Sequence, residues 1–299
     1  MAEEKALNVG PAGLEVAYER HGDPDDPPLL MIMGIGGQLV SWPSGLVAEL
    51  VARGLYVILF DGRDSGHSTH LRDAPVPDVA AAMAGDLSAV AYTLSDLAAD
   101  CAGLLDALGL GSAHVAGASM GGMIAQTMAI EHPGRVRSLT SMMSTTGDPS
   151  VGRSNAEALR AMGGGAPPAN REEYADQAVR AMSVLGSPGF EPDLAGARER
   201  AERVYDRGWD PAGMARQAVA VIASGDRTDR LREVVAPTLV IHGADDVMFD
   251  VSGGKATAAA VPGAELVVVE GMGHNFPRQL WPDLAARIAA LVRRAEKGH

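Results

Sequence analysis

Residues 114–129 read HVAGASMGGMIAQTMA. With Ala113 in front, AHVAG is an apolar run of strand length, and MGGMIAQTMAIEH behind it has a helical pattern that Pro133 stops. Between them one hydroxyl residue, Ser119, sits among Gly117, Ala118, Gly121 and Gly122. A strand that turns into a helix this abruptly needs small neighbours, and it holds the Ser119 hydroxyl out at the carboxyl end of a sheet. The first N–H groups of the following helix lack intrahelical partners and point toward the same place. Glycine-rich strand-to-helix turns also bind phosphates, so the pattern Gly117-x-Ser119-x-Gly121 does not decide the chemistry by itself.

Working outward, four apolar runs bounded by turn residues predict buried strands at 29–33 (LLMIM), 56–60 (YVILF), 238–242 (TLVIH) and 265–270 (ELVVVE). Helical patterns lie between them. Residues 95–109 start at Ser95 as N-cap, repeat leucine every three or four positions and stop at Gly109, and residues 282–295 start on a proline. This alternation calls for an α/β fold, a mostly parallel sheet flanked by helices. Residues 7–22, broken at Gly10-Pro11, predict an antiparallel hairpin on its edge. From 148 to 230 the alternation fails and short helical patterns alternate with Gly/Pro breaks, so the expected organisation is a core of 1–147 and 231–299 with a helical cap at 148–230.

The chain of 299 residues carries 25 Lys and Arg against 38 Asp and Glu, a net charge of −13, without a basic run to suit a phosphate backbone. Nucleic acid is therefore not an expected partner. Residues 1–110 hold 16 acids and 5 bases, which reads as a solvated, solubilising face. One cysteine, Cys101, excludes an internal disulfide and a cysteine-based zinc site, and its helical spacing with Leu97, Leu104, Leu105 and Leu108 marks it as buried. The start, MAEEKALNV, lacks a signal-peptide pattern, and no run reaches the ~20 apolar residues that cross a bilayer. The expectation is a cytoplasmic protein without membrane contact, a monomer or homodimer, acting on a small molecule.

A serine nucleophile needs a base within reach and an acid to orient it. VIHGADDVMF places Asp245 and Asp246 after one predicted strand, and VVVEGMGHNF places His274 after the next. In a parallel sheet both loops open at the edge that carries Ser119. On these residues the chain resembles the α/β-hydrolases over nearly its full length outside the cap. The resemblance implies the order Ser, acid, His, with the acid three residues after a strand-ending glycine; Gly243 and Asp246 have that spacing, leaving Asp245 and Asp250 in reserve. The histidine loop is matched by Gly271-Met272-Gly273-His274. Among the other histidines, His242 reads as a core or supporting residue, His132 as a helix-end residue and His67 and His70 as loop residues, while His21, His114 and His299 have no acidic partner by pattern.

The resemblance also implies two backbone donors for an oxyanion, Met120 N–H after the nucleophile and Ile35 N–H in the loop MGIGGQLVSWP, where relatives begin His-Gly and this chain has Met33. That loop lacks the lysine of a phosphate loop. Together with LFDGRDSGHST (59–69) it is similar to bacterial methylesterases of the aclacinomycin methylesterase type, which act on anthracycline-type polyketides. Residues 61–68 read as a shape-setting turn in which Asp61, Arg63, Asp64 and Ser68 bond to one another and to backbone. Gly36, Met143 and Met248 are the candidate substrate contacts. The function implied is hydrolysis of an alkyl or polyketide-like ester by Ser119, Asp246 and His274, with no metal or cofactor. The same residues fit C–C bond, amide or lactone hydrolysis and perhydrolysis, and a non-hydrolytic ligand-binding protein is the alternative of another class.

Overall fold

A computed structural model describes residues 2–163 and 167–297 of the chain. Its sheet contains β1 (Glu4–Val9), β2 (Leu14–His21), β3 (Pro28–Ile32), β4 (Tyr56–Phe60), β5 (Ala113–Ala118), β6 (Val136–Met142), β7 (Thr238–Gly243) and β8 (Glu265–Val269). Their spatial order is β1-β2-β4-β3-β5-β6-β7-β8. The expected hairpin pairs antiparallel with β4 at one edge, and every pairing from β4 to β8 is parallel. The chain therefore has the α/β fold that the sequence implied, and the carboxyl ends of β3, β5, β7 and β8 open at one edge.

The described residues also form eleven α-helices: α1 (Ser44–Val51), α2 (Val79–Met83), α3 (Leu94–Ala107), α4 (Met120–Glu131), α5 (Ala156–Gly163), α6 (Arg171–Leu185), α7 (Leu194–Asp206), α8 (Pro211–Ser224), α9 (Thr228–Leu231), α10 (Ser252–Ala260) and α11 (Trp281–Glu296). Apolar side chains of α3 and α4 bury one face of the sheet, and those of α1 and α11 bury the other. Helix α3 starts at Thr93 rather than Ser95, because Thr93 and Asp96 form a reciprocal capping box. Helices α5 to α9 all lie between β6 and β7. No helix among the described residues is long and apolar enough to cross a membrane.

Two strands differ from expectation. β6, with the sequence VRSLTSM, carries no apolar run, yet Ser138, Thr140 and Ser141 are buried within it. Ser138 Oγ lies 2.8 Å from His114 Nδ1, and Ser141 Oγ accepts Gln126 Nε2 at 3.1 Å, so neighbouring elements satisfy polar atoms that would otherwise oppose burial. β8 reads as a buried strand but forms the other edge of the sheet, with Glu265 and Leu266 exposed.

The 61–68 turn is self-bonded only in part. Ser68 Oγ donates to Asp61 O at 2.6 Å, and His67 N donates to Asp61 Oδ2 at 2.9 Å. The charged groups instead turn to distant elements: Arg63 pairs with Asp100 of α3, Asp61 with Arg207 after α7, and Asp64 bidentately with Arg216 of α8 at 2.8 Å. Asp64 and Arg216 are almost wholly buried. Burial opposes ionisation of Asp64, but Arg216, the Leu71 N–H and the Tyr92 hydroxyl outweigh it and hold its carboxyl below the ordinary value. Asp64→Ala leaves the buried Arg216 with only the 3.6 Å contact to Asp210 and is expected to lower unfolding stability by about 3–5 kcal/mol at neutral pH. Because the folded pKa is depressed, this contribution is present above the ordinary aspartate pKa and fades as pH falls through the folded value. Urea denaturation at neutral and acid pH checks both; a neutral-pH loss under about 1 kcal/mol contradicts the assignment.

Candidate active site

Ser119 follows the last residue of β5 and precedes the first of α4, with φ 58° and ψ −124°. A non-glycine residue reaches this region only when its surroundings impose it. Here Ser119 N donates to Met142 O at 3.0 Å, and Ser144 Oγ donates to Ser119 O at 2.8 Å. The flanking glycines are required by contact distance: a Cβ at Gly117 would stand 2.0 Å from Gly121 O, and one at Gly121 would stand 2.0 Å from Ile32 O. The turn thus serves close packing and exposure of the hydroxyl together.

Asp246 lies in the loop after β7 and is buried. Its Oδ1 accepts the N–H groups of Met248 (2.8 Å) and Phe249 (3.0 Å), which leaves Oδ2 directed at His274 Nδ1, 2.8 Å away. His274 Nε2 lies 3.1 Å from Ser119 Oγ. The three predicted side chains, drawn from positions 119, 246 and 274, therefore form one hydrogen-bonded chain. Asp245 is exposed and accepts Gly271 N–H, and Asp250 accepts Ser252 N–H and Arg153 N–H, so neither reserve acid reaches the imidazole. The Phe249 ring stands edge-on to His274 with centroids 5.7 Å apart, and His274 N–H donates to Leu185 O of α6.

His242 supports the acid loop. Its Nε2 lies 2.7 Å from Phe249 O and 3.6 Å from Asp246 Oδ2. Burial pushes its pKa down, with the Phe249 carbonyl and Asp246 opposing, which favours a neutral ring donating to Phe249 O. The remaining histidines lie elsewhere: His132 caps α4, His67 meets Glu3, and His70 bridges Asp210 and Gly66 O. His21 and His114 do have acidic neighbours, Glu19 at 3.2 Å and Glu296 at 3.0 Å. His299 lies outside the described residues.

The loop after β3 passes beside the serine: a Cβ at Gly34 would stand 3.4 Å from Ser119 Oγ. Ile35 follows Gly34 in this loop, and Met120 follows Ser119 as the first residue of α4. Of the other candidate contacts, Gly36 gives its N–H to Gln217 Oε1 at 2.7 Å, and Met143 is buried in the core cluster to which α1 and α11 contribute. Met248 packs with Ala158 of α5 and Leu185 of α6. Sequence patterns did not point to Gln217, which reads as an ordinary helix residue. Asp64, His70 and Asp210 bring possible metal ligands within 4.8 Å, but Arg216 bonds Asp64 and lies 3.6 Å from Asp210, so a guanidinium already pairs with both carboxylates.

The profile of the α/β hydrolase fold matches residues 27–277. The chain belongs to the α/β-hydrolase fold family. This hydrolase is 30% identical to the rhodomycin D methylesterase of Streptomyces peucetius, an alignment covering 92% of this chain and 93% of that one. It is also 30% identical to a 2-hydroxy-6-oxononadienedioate/2-hydroxy-6-oxononatrienedioate hydrolase of Dechloromonas aromatica, over 90% and 87% of the two chains. Among solved structures, the meta-cleavage product hydrolase of Pseudomonas fluorescens superposes with a TM-score of 0.74 at 18% identity, covering 98% of both chains.

The two acids are distinguishable by substitution in this hydrolase. Asp246→Asn is expected to lower turnover by roughly 10⁴-fold, since an amide no longer holds the required imidazole tautomer. Asp245→Asn should stay within about tenfold of wild type, an allowance for the loop hydrogen bond that it weakens. Side-by-side steady-state kinetics check this, and a larger loss at Asp245 reverses the assignment.

Proposed function

We propose that the protein is a serine hydrolase that cleaves a carboxylic ester through Ser119, His274 and Asp246. The observation that carries the reading is the unbroken chain Ser119 Oγ, His274 Nε2, His274 Nδ1, Asp246 Oδ2, with separations of 3.1 and 2.8 Å. Both distances lie in the range for proton transfer between a nucleophile, its base and the group that orients the base.

In the first half of the cycle His274 takes the Ser119 proton as Oγ attacks the acyl carbon. Asp246 fixes the ring and stabilises its cation, helped by its own two backbone hydrogen bonds, which leave one oxygen free for Nδ1. The N–H groups of Ile35 and Met120 receive the oxyanion. His274 then protonates the departing alcohol. Water, deprotonated by the same ring, attacks the acyl-enzyme, and the ring returns that proton to Ser119 Oγ as the acid is released. As written, the cycle needs no metal ion or organic cofactor.

The rhodomycin D methylesterase relative supports an ester, and the surroundings of His274 support an apolar or polyketide-like one. Phe249, Met248, Val247, Ala158, Ala181 and Leu185 form an apolar cluster from the acid loop to α5 and α6. A flexible thioether in such a cluster adapts to an irregular ligand. In this reading α5 to α8 act as a cap over the sheet edge. The second relative, a 2-hydroxy-6-oxononadienedioate hydrolase, supports a competing reading in which the same serine cleaves a dienedioate, so both substrate classes belong in one panel.

A fluorophosphonate probe should label the wild-type protein, and Ser119→Ala should abolish both labelling and turnover, the latter by a factor on the order of 10⁵–10⁶. Methyl and p-nitrophenyl esters of graded chain length, assayed beside a 2-hydroxy-6-oxo-dienedioate, check the substrate class. Faster turnover of the dienedioate than of every ester contradicts the esterase reading, and labelling that persists in Ser119→Ala contradicts the nucleophile.

A further inference from the structure

The loop that supplies Ile35 is held from the helical segment, and the decisive contact comes from one amide side chain. Gly37 N–H donates to Gly34 O at 3.0 Å, closing a turn whose third residue, Gly36, has φ +67°. Positive φ at that position turns the Ile35–Gly36 peptide so that its N–H faces away from the turn's own hydrogen bond. Gln217 Oε1 accepts it at 2.7 Å. Gln217 Nε2 donates in turn to Arg63 O at 2.9 Å and Ser65 Oγ at 3.0 Å, and the residue is 3% exposed. Its acceptor and both amide donors are thereby engaged with the two loops that follow β3 and β4.

A small cavity bordered by Met33, Gly34, Gly37, Met120 and Gln217 lies against this loop. Met214, one turn before Gln217 on α8, covers Gly36 so closely that a Cβ there would stand 2.8 Å from Met214 Cγ. The neighbouring Arg216 anchors α8 on Asp64, so the helix that bears Gln217 is itself fixed. Ile35 is then constrained on both sides: Gly34 rests against Ser119, and Gly36 is tied to Gln217.

We propose that Gln217 is a positioning residue, which acts through Gly36 N–H to hold the Ile35 donor where an oxyanion forms on Ser119. The proposal rests on the serine-hydrolase reading above. Loss of the acceptor leaves a buried N–H unpaired, and the loop shifts as a whole to bring Gly36 N–H to another partner, carrying Ile35 with it. A donor displaced by even 1 Å loses the advantage of preorganisation, which acts on the transition state more than on the bound substrate.

The test uses the full chain with p-nitrophenyl butyrate as substrate and octyl trifluoromethyl ketone, which forms a tetrahedral serine adduct, as inhibitor. Gln217→Met is expected to lower kcat roughly 10- to 100-fold with KM within about threefold, and to weaken ketone inhibition by the same factor as kcat/KM. A Gln217→Met protein with kcat and ketone affinity within about threefold of wild type overturns the proposal, as does a fall in kcat with unchanged ketone affinity. If Gln217→Met does not fold, Gln217→Asn decides: its shorter side chain withdraws the acceptor, so the same kcat loss supports the proposal and an unchanged kcat overturns it. Ser119→Ala separates the two levels, because wild-type turnover that survives it refutes the serine-hydrolase reading itself.

Discussion

The reversal of the chain at Ser119 is the constraint around which the rest is arranged. One residue converts the direction of β5 into that of α4, and it does so at φ 58°, a conformation that costs a serine about 1–3 kcal/mol. That cost is met by neighbours on both sides of β5. β6 accepts Ser119 N–H at Met142 and follows with Ser144, whose hydroxyl binds the Ser119 carbonyl, while β3 lies so near Gly121 that no side chain fits. The central position of β5 in the sheet is thus a condition for exposing the hydroxyl, and the loops after β3, β7 and β8 then open beside it.

The helices between β6 and β7 are bound to this frame by charge as well as by apolar contact. Arg207 and Arg216 reach Asp61 and Asp64 in the turn after β4, and Leu39 N–H of the loop after β3 donates to the same Asp61. Buried ion pairs add little net stability compared with apolar packing, but breaking one is expensive, so they select a single docked arrangement. α6 contributes separately by accepting the His274 N–H at Leu185 O. Both the loop after β3 and the loop that carries His274 accordingly depend on residues outside the sheet.

Much of this was legible in the sequence, and for identifiable reasons. β3, β4 and β7 are apolar because both of their faces are covered, and α3 and α11 show leucine spacing because only one face is. The glycines around Ser119 and the spacing of Gly243 to Asp246 carried the site, and the structure brings those side chains into contact. β6 was not legible, since its buried serines are satisfied by Gln126 and His114 from other elements. The edge position of β8 follows from sheet order, which an apolar run does not encode. Choosing Asp246 over Asp245 rested on spacing alone, whereas the physical difference is burial and two backbone hydrogen bonds. Gln217 gave no signal, because its partners lie some 150 to 180 residues away in the chain.

The proposed attack of Ser119 Oγ on a carbonyl whose oxygen is received between Ile35 and Met120 can be tested by a crystal structure of the protein inactivated by an alkyl fluorophosphonate. Phosphorus is expected bonded to Ser119 Oγ, with the phosphoryl oxygen within hydrogen-bonding distance of both backbone N–H groups. An adduct on another residue, or one on Ser119 whose phosphoryl oxygen turns away from Ile35 and Met120, would contradict it.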